Sequence, residues 1–255
     1  MSTFASYAPY YDLLYHDKDY SGEALFLSSL LRSFCPSVSR VLDFGCGTGT
    51  HARHLSDLDF SVLGVDASET MIERAQINRA ALATVHSRRL TFRHGDIRTV
   101  RLGEQFGSIV SLFHVLSYLT ENDDLLCAFQ TIRAHLSPGG ICIADCWYGP
   151  AVLNLRPSVR VKQFDNEGTS ILRIAEPVLH PNENVVDVNY TLWIRNAADE
   201  RIETIRETHR MRYLFMPEIR FLAKQVGMEL VDAREWMTGR EAGLDTWSVY
   251  FVLRG

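Results

Sequence analysis

Short apolar runs alternate with amphipathic stretches through the first half of the chain. The apolar runs predict strands over residues 40–44, 61–65, 90–93, 108–113 and from 141 onward, and the amphipathic stretches predict helices over 22–34, 51–58, 68–79 and 122–136. The runs are apolar at successive positions, which is typical of strands that are buried on both faces. Their alternation with helices predicts a parallel sheet that carries helices on both sides.

The pattern changes after Trp147. Residues 160–212 form long β-like stretches without a convincing helix, of which 185–194 is the clearest, and turn signals stand at 166–168 and 196–200. We therefore expect a set of antiparallel strands inserted into the α/β unit. The earlier rhythm then returns, with a helix and two strands predicted over 217–226, 229–236 and 246–253.

The charge balance narrows the class of partner. The 255 residues contain 26 Lys and Arg against 31 Asp and Glu, and the basic residues are scattered, which argues against a nucleic-acid-binding protein. No stretch approaches the ~20 apolar residues of a membrane span, and the first residues are too polar for a secretory signal. The five cysteines are odd in number and match no zinc spacing, so we expect reduced thiols and a cytoplasmic protein without membrane contact.

A glycine-rich turn follows the first predicted strand. The sequence Asp43-Phe44-Gly45-Cys46-Gly47-Thr48-Gly49-Thr50 lets the backbone turn sharply and lets a ligand approach main-chain N–H groups. The dinucleotide fingerprint would have its third glycine at position 50, where this chain has a threonine, and the Lys and Ser/Thr of a phosphate-binding loop are absent. The turn therefore favours neither a dinucleotide nor a nucleoside triphosphate.

Two acids follow at the ends of the next predicted strands. Asp66 ends the second strand, where a carboxylate can accept hydrogen bonds from a ribose diol. Asp96 follows the third strand, where a carboxylate can accept from an exocyclic amino group such as that of adenine. Either acid taken alone could be only a helix cap or a loop residue. Together with the glycine turn they indicate a ligand with an adenosine moiety and no required phosphate.

These residues resemble the class I S-adenosylmethionine-dependent methyltransferases. The residues 42–49, 65–66, 95–96 and 136–140 match the landmarks of that family in order and spacing, over about residues 40–144. The resemblance implies a Rossmann-like sheet of seven strands whose last strand is antiparallel and lies between the fifth and sixth. It implies S-adenosylmethionine as the cofactor, with S-adenosylhomocysteine as the product.

The implied cofactor site combines the residues above with positions matched by the resemblance. The cofactor-binding candidates are Tyr20, Asp43, Gly45, Cys46, Gly47, Asp66, Ala67, Met71, Asp96, Ile97, Leu112 and Phe113. Cys46 is expected to be a small residue of the turn and not a nucleophile. His51 and His54 lie three apart on a predicted helix, but no third ligand is visible, so we predict no metal site.

A looser resemblance covers most of the chain. The segments 7–20, 113–119, 147–150 and 207–215 resemble bacterial N-methyltransferases that dimethylate the amino group of nucleotide-linked deoxyaminosugars. That subgroup implies a homodimer and a small-molecule acceptor. It also implies a single domain, 1–255, whose parts are an N-terminal lid and helix (1–38), a cofactor-binding core (39–148), inserted strands that cover the active site (149–215) and a closing helix and strands (216–255). Methyl transfer to a sugar, polyketide or other hydroxyl, and a non-catalytic cofactor-binding module, stay open as alternatives.

The acceptor side of the site follows from topology, because ligands of open α/β sheets bind beyond the carboxyl ends of the strands. The catalytic candidates there are His114 and Tyr118, with Asp145 and Tyr11 behind them. His114 could instead be a satisfied polar residue near a strand end. Tyr11 and Tyr15 could instead be an aromatic patch that holds the first helix. The predicted substrate-binding residues are Tyr15, Trp147, Tyr148, Arg160, Arg210 and Arg212, the arginines standing for a phosphate cluster in or beside the insertion that also includes Arg156, Lys162 and Arg173.

Overall fold

The computed structural model describes residues 10–166, 168–196 and 201–255. Its strands are β1 Arg40–Phe44, β2 Ser61–Asp66, β3 Leu90–His94, β4 Phe106–Ser111, β5 Leu136–Tyr148, β6 Arg160–Asp165, β7 Thr169–His180, β8 Val185–Asn196, β9 Ile202–Leu214, β10 Glu229–Glu235 and β11 Ser248–Arg254. Its helices are α1 Tyr11–Leu14, α2 Tyr20–Phe34, α3 Thr50–Asp57, α4 Glu69–Ala80, α5 Thr84–Ser87, α6 Asn122–His135, α7 Gly149–Leu155 and α8 Met216–Gln225, with a 3₁₀ turn at Val115–Tyr118.

Seven strands form the central sheet in the order β3-β2-β1-β4-β5-β11-β10. The first five run parallel to their neighbours. The last strand in sequence, β11, lies between β5 and β10 and is antiparallel to both. This confirms the Rossmann-like sheet, including the position and direction of its last strand. The carboxyl ends of β1, β2, β4 and β5 therefore meet at one edge.

The sheet separates two apolar cores. Residues of α2 and α3 such as Leu27 and Leu55 pack on one face, against Val41 of β1. Residues of α6 and α8 such as Phe129 pack on the other face, against Leu42. Val41 and Leu42 are adjacent and fully buried, as expected for a strand with helices on both sides. Among the helices of the described ranges, none is long and apolar enough to cross a membrane.

The inserted strands β6 to β9 form an antiparallel sheet of their own in sequence order. The end of β9 then pairs in parallel with the end of β5, at Trp147 with Tyr213 and at Tyr148 with Leu214. The inserted sheet is therefore continuous with the central one and begins at the edge where the parallel strands end. The predicted antiparallel insertion is confirmed over 160–212 for the residues that the structure describes.

Several predicted boundaries differ from the structure. The fourth strand ends at Ser111 and not at 113, because Phe113 and His114 adopt positive φ values of 66° and 64° that break the strand. The fifth strand begins at Leu136 and not at 141, and it runs to Tyr148; residues 137–140 lie inside it, where its pairing with β4 is irregular. The predictions that fall on Tyr7, Ala8, Pro9 and Glu167 and on 197–200 lie outside the described residues.

Three short helices, α1, α5 and α7, were not predicted. The helix α7 has Pro150 in its first turn and buries Ala151 and Val152 against the inserted sheet and β5. Pro is well tolerated at the start of a helix, since its missing N–H would have no partner there in any case. The helix is only seven residues long, too short to show a hydrophobic period in the sequence.

Candidate active site

The glycine turn after β1 takes a conformation that suits glycine. Gly45, Gly47 and Gly49 have φ values of +77°, +53° and +81°, a region that side-chain-bearing residues rarely adopt. A Cβ on Gly45 would lie 2.3 Å from a methyl carbon of Val115, and a Cβ on Gly47 would meet no atom within 4 Å. The space beside Gly47 is therefore open, and a ligand can reach the backbone there.

Asp66, at the end of β2, is fixed by the turn. Its Oδ2 accepts from the Gly47 N–H at 2.9 Å, and its Oδ1 accepts from the Ser68 N–H at 2.8 Å. Burial raises its pKa, against these two backbone hydrogen bonds. Asp43 lies beneath the turn at 2% exposure, where burial and the nearby charge of Asp66 raise its pKa to about 7. The two acids form an electrostatically coupled pair at the base of the cleft.

Asp96 is half-buried at the cleft and is held by an arginine. The Arg98 guanidinium holds the pKa of Asp96 below its usual range, with Nε at 3.0 Å from both carboxylate oxygens. Arg98 also donates to Asp124 at 2.9 Å, which anchors it to α6. Ile97 and Met71 line the cleft beside this acid. A ligand with a flat ring system could therefore pack on these apolar side chains and place its edge against the Asp96 carboxylate.

The N-terminal segment, residues 10–20, is tied across the glycine turn by polar contacts. Asp12 accepts from the Thr48 hydroxyl at 2.7 Å and from Arg74 of α4 at 2.8 Å. The Asp19 side chain caps the next helix by accepting from the Gly22 N–H at 2.8 Å. These contacts hold α1 and its tyrosines over the cleft.

The ammonium group of Lys18 lies between two aromatic rings of the site. The Lys18 Nζ is 4.7 Å from the ring centroids of both Tyr20 and Phe113 and pairs with Glu23. Burial alone would raise the pKa of Glu23, but the His51 hydrogen bond and the Lys18 charge lower it to about 2. The Tyr20 and Phe113 rings therefore already bind one cation of the chain itself, and Glu23 balances its charge.

His114 follows β4 in a left-handed backbone conformation, with φ 64°. Its main-chain N–H donates to Asp145 Oδ1 at 3.0 Å, and its Nε2 lies 3.1 Å from Ser248 Oγ and 3.3 Å from Asp145 Oδ2. Burial lowers the pKa of His114, against the charge of Asp145. The imidazole is therefore neutral at neutral pH. Strained backbone of this kind is concentrated at functional sites.

Tyr118 is joined to the inserted sheet by a side chain that the sequence analysis did not single out. Its hydroxyl lies 2.9 Å from Nδ1 of His209 on β9. His209 is 3% exposed, and its Nε2 lies 3.3 Å from Oε1 of Glu207. The ring of Tyr190 meets the imidazole edge to face, with centroids 4.9 Å apart. His209 lies in the segment 207–215, which resembles the aminosugar subgroup, but the resemblance assigns no role to this histidine.

The arginines of the predicted phosphate cluster have different surroundings. Arg212 is buried and bonds to Glu218, to Asn122 and to the Thr120 carbonyl. Arg210 reaches the cleft, but its guanidinium pairs with Glu183 and Asp187. Arg160 is exposed at the start of β6.

Arg173 of β7, which was grouped with the cluster but not singled out, lines the cleft. Its guanidinium carbon lies 5.7, 5.0 and 5.4 Å from the rings of Tyr15, Phe164 and Tyr190. This position sets a positive charge among aromatic faces that belong both to the N-terminal segment and to the inserted sheet.

The cleft has a volume of about 630 Å³ and gathers most of the predicted site residues. Those that line it are Tyr11, Tyr15, Tyr20, Gly45, Cys46, Gly47, Asp66, Ala67, Met71, Asp96, Ile97, Leu112, Phe113, His114, Tyr118, Trp147 and Arg210. Asp43 and Asp145 are buried directly behind it, and Tyr148, Arg160 and Arg212 are not among its lining residues. Tyr148 packs instead on the apolar core beside α6 and α8.

The shape and donor set of the cleft fit S-adenosylmethionine. Its volume is within the range of ligand pockets, and it has an open backbone approach at Gly47, a carboxylate at Asp66, another at Asp96 and several aromatic side chains in its lining. Fold and site together define a class I S-adenosylmethionine-dependent methyltransferase.

Comparisons with known proteins agree with this class. A family profile described as methyltransferase domain matches residues 41–140. The chain is 31% identical to the dTDP-3-amino-3,4,6-trideoxy-alpha-D-glucopyranose N,N-dimethyltransferase of Streptomyces venezuelae. The 206 aligned residues cover 78% of this chain and 83% of that protein. It is 30% identical to the dTDP-3-amino-3,6-dideoxy-alpha-D-glucopyranose N,N-dimethyltransferase of Streptomyces fradiae, over 80% of this chain and 76% of that protein.

The structure is likewise similar to the crystal structure of Streptomyces venezuelae DesVI, with a TM-score of 0.80, 26% identity and 97% of each chain covered. It also matches the fold of the amino pentose methyltransferase CalS10 from Micromonospora echinaspora, solved with S-adenosylmethionine bound, at a TM-score of 0.75 and 24% identity over 100% and 98% of the two chains. The chain belongs to the family of S-adenosylmethionine-dependent methyltransferases that includes the dTDP-aminosugar N,N-dimethyltransferases.

Proposed function

We propose that the protein transfers methyl groups from S-adenosylmethionine to the amino group of a nucleotide-linked deoxyaminosugar. The observation that carries this proposal is the lining of the part of the cleft that lies beyond the cofactor residues. This part is lined by Tyr118, Trp147, Tyr190 and His209, with the Arg173 guanidinium among the rings of its wall. A sugar joined to a phosphate fits such a chamber, because aromatic faces pack on the ring and a guanidinium binds the phosphate.

The chain's own residues have limited work to do in this reaction. S-adenosylmethionine, when bound, supplies an already activated methyl group, so transfer is an in-line displacement by a lone pair of the acceptor. Asp66, Asp96 and the glycine turn would hold the cofactor, and aromatic side chains that line the cleft would face its positive charge. Tyr118 and the side chains around it would orient the acceptor, and alignment alone can supply several kcal/mol of the barrier.

A second candidate, transfer to a hydroxyl, is favoured by one observation. His114 is kept neutral by burial and lies 3.3 Å from Asp145, which is an arrangement that a general base needs. A neutral amine needs no such base, whereas a sugar hydroxyl does. Amine transfer is the stronger proposal because the relatives that match over most of the chain have aminosugar N,N-dimethyltransferases among them.

The proposal is tested with methyl-labelled cofactor and a panel of acceptors. The panel pairs dTDP-linked sugars that carry an amino group at C3 or C4 with the corresponding hydroxyl sugars, and mass spectrometry counts the methyl groups added. We expect label on the aminosugars only, in one or two steps. Label on the hydroxyl sugars alone would establish the second candidate, and binding of cofactor without transfer to any acceptor would support a non-catalytic module.

The role of Arg173 has its own test. R173M should raise the KM for the nucleotide sugar about tenfold or more, since a lost charge-assisted hydrogen bond costs roughly 1.5–3 kcal/mol, and should leave cofactor affinity unchanged. The matched control is R220M, which removes an exposed arginine of α8 far from the cleft. An unchanged KM in R173M would show that Arg173 does not bind the phosphate and would assign that role to Arg160, Arg210 or another basic residue.

We further propose a cytoplasmic homodimer. Five free cysteines are in keeping with a reducing compartment. Val161, Trp193 and Ile202 are exposed, and the strand register places them on the same outer face of the inserted sheet. Light scattering on the purified protein should give twice the mass of one chain, and W193D should reduce it to that of a single chain.

A further inference from the structure

A polar chain of three side chains leads from the cleft into the inserted sheet. Tyr118 lines the cleft, its hydroxyl lies 2.9 Å from His209 Nδ1, and His209 Nε2 lies 3.3 Å from Glu207 Oε1. Glu207 and His209 lie two positions apart on β9, so their side chains share the inward face of the strand, toward Tyr190. The histidine is nearly inaccessible to solvent, so these neighbours decide where its ring protons lie.

The carboxylate fixes the polarity of the chain. The Glu207 carboxylate lies at ion-pair distance from Nε2, and its negative charge repels a lone pair at that atom, so it favours the imidazole tautomer that carries its proton on Nε2. Nδ1 then has no proton and accepts one from the Tyr118 hydroxyl. The phenol proton is thereby directed away from the cleft, and the phenol oxygen presents a lone pair to the acceptor.

This polarity matters for an amine nucleophile. A neutral amine has N–H groups that donate and a single lone pair that must attack the methyl carbon. A tyrosine that donated its proton to that lone pair would block the attack. A tyrosine that accepts from an amine N–H anchors the nitrogen and leaves its lone pair free for in-line displacement.

We propose that His209, held by Glu207, is a positioning residue that keeps Tyr118 a hydrogen-bond acceptor toward the substrate amine. The proposal rests on the amine acceptor proposed above. Primary and secondary amines, the substrates of the first and second transfers, each have an N–H to donate to Tyr118 Oη. Each transfer breaks the S–CH3 bond of the cofactor and leaves the acceptor nitrogen as an ammonium, which must give one proton to water before its lone pair is free again. After the second transfer and the loss of that proton, the tertiary amine has no N–H left to donate to Tyr118 Oη.

A double-mutant cycle distinguishes this role from a structural one. Y118F removes the anchor but leaves the lone pair free, and we expect kcat/KM for the aminosugar to fall about tenfold, in keeping with one hydrogen bond to a reacting group. H209A frees the Tyr118 proton to bind the lone pair, and we expect a larger loss, about 100-fold. The double variant Y118F/H209A should recover to the Y118F level, because no phenol proton is left to block the amine.

Matched variants complete the kinetic experiment. E207Q should resemble H209A more closely than wild type, since its amide no longer selects the tautomer. H86N is the control, because His86 also pairs with a carboxylate, Asp57 at 2.9 Å, outside the cleft; it should keep wild-type kinetics. Cofactor affinity, measured by calorimetry, should be the same in all variants. An H209A defect that persists or grows in the double variant would overturn the proposal.

A spectroscopic measurement tests the same point without any substrate. Long-range proton–nitrogen NMR of the ¹⁵N-labelled protein reports the tautomer of each histidine, and the His209 signals are assigned by their loss in H209N. We expect the Nε2–H form in wild type and a shift of tautomer population in E207Q. An Nδ1–H form in wild type would overturn the proposal. Failure of the proposed function would show instead as no aminosugar turnover by wild type, with the tautomer result still decisive for His209.

Discussion

Asp66 gives the sharpest measure of the cofactor site. Its two carboxylate oxygens each accept one backbone N–H, from Gly47 and Ser68, and it lines the cleft. A ribose diol would add hydrogen bonds to this charged acceptor, each worth roughly 1.5–3 kcal/mol. D66A should therefore weaken S-adenosylmethionine binding about 10- to 150-fold, since 1.4 kcal/mol is about a factor of ten.

The assay is titration calorimetry at fixed pH and salt, with two comparison variants. D66N keeps an acceptor oxygen for one backbone N–H and isolates the loss of charge, so its defect should lie between wild type and D66A. D59N is the matched control, because Asp59 is an exposed acid with a φ of 74° that asparagine tolerates, and it pairs with Arg89 outside the cleft. D66A with wild-type affinity and an unchanged thermal midpoint would remove the ribose role from this residue.

Three further substitutions test the framework around the site. Burial and the charge of Asp66 raise the pKa of Asp43 to about 7. The stabilising contribution of Asp43 is therefore complete below its unfolded pKa near 4 and is lost as the pH rises to about 7. In urea unfolding, the free energy of unfolding of D43N should rise relative to that of wild type by about 1.4 kcal/mol per pH unit across that window, and the difference should stay constant above about pH 7. G49A should lower the free energy of unfolding by about 2–4 kcal/mol, because its φ is +81° and its Cβ would lie 2.6 Å from the Phe92 ring; a smaller loss would show that the ring can move. R212M should cost about 1.5–3 kcal/mol by leaving the partly exposed Glu218 carboxylate without its charged partner, while cofactor affinity at low temperature stays at the wild-type value. A specific loss of sugar binding instead would support the predicted substrate role of Arg212.

The elements around the cofactor were predictable because their signals are local. The strand β1 was predicted with its observed bounds, since a short run with three apolar residues, Val41, Leu42 and Phe44, ends directly at the glycine turn. The helix α4 was predicted from Ser68, whose hydroxyl accepts from the Met71 N–H at 3.3 Å as an N-cap should. Hydrophobic period, caps and turn residues act within a few positions of each other, so the sequence displays them together.

The acceptor side was less predictable because its contacts join distant segments. Tyr118 and His209 are 91 positions apart, and Asp12 and Arg74 are 62 apart. No local pattern pairs such residues. Arg212 shows the same limit, because a distant contact decides its role. The sequence places this basic residue beside the insertion and so suggests a phosphate ligand, whereas in the structure it is buried against Glu218, the third residue of α8.

The two halves of the cleft are built differently, and this bears on how specificity is set. The cofactor half depends on backbone groups and on acids at strand ends, within the segment 41–140 that the family profile matches. The proposed acceptor half adds to Tyr118 the side chains of β7, β8 and β9, such as Arg173, Tyr190 and His209, which lie beyond that segment. Substitution of an inward-facing residue of the inserted sheet changes the acceptor wall without disturbing a hydrogen bond of the glycine turn. Exchange of acceptor specificity between related enzymes should therefore follow the inward-facing positions of the inserted sheet, with cofactor affinity retained.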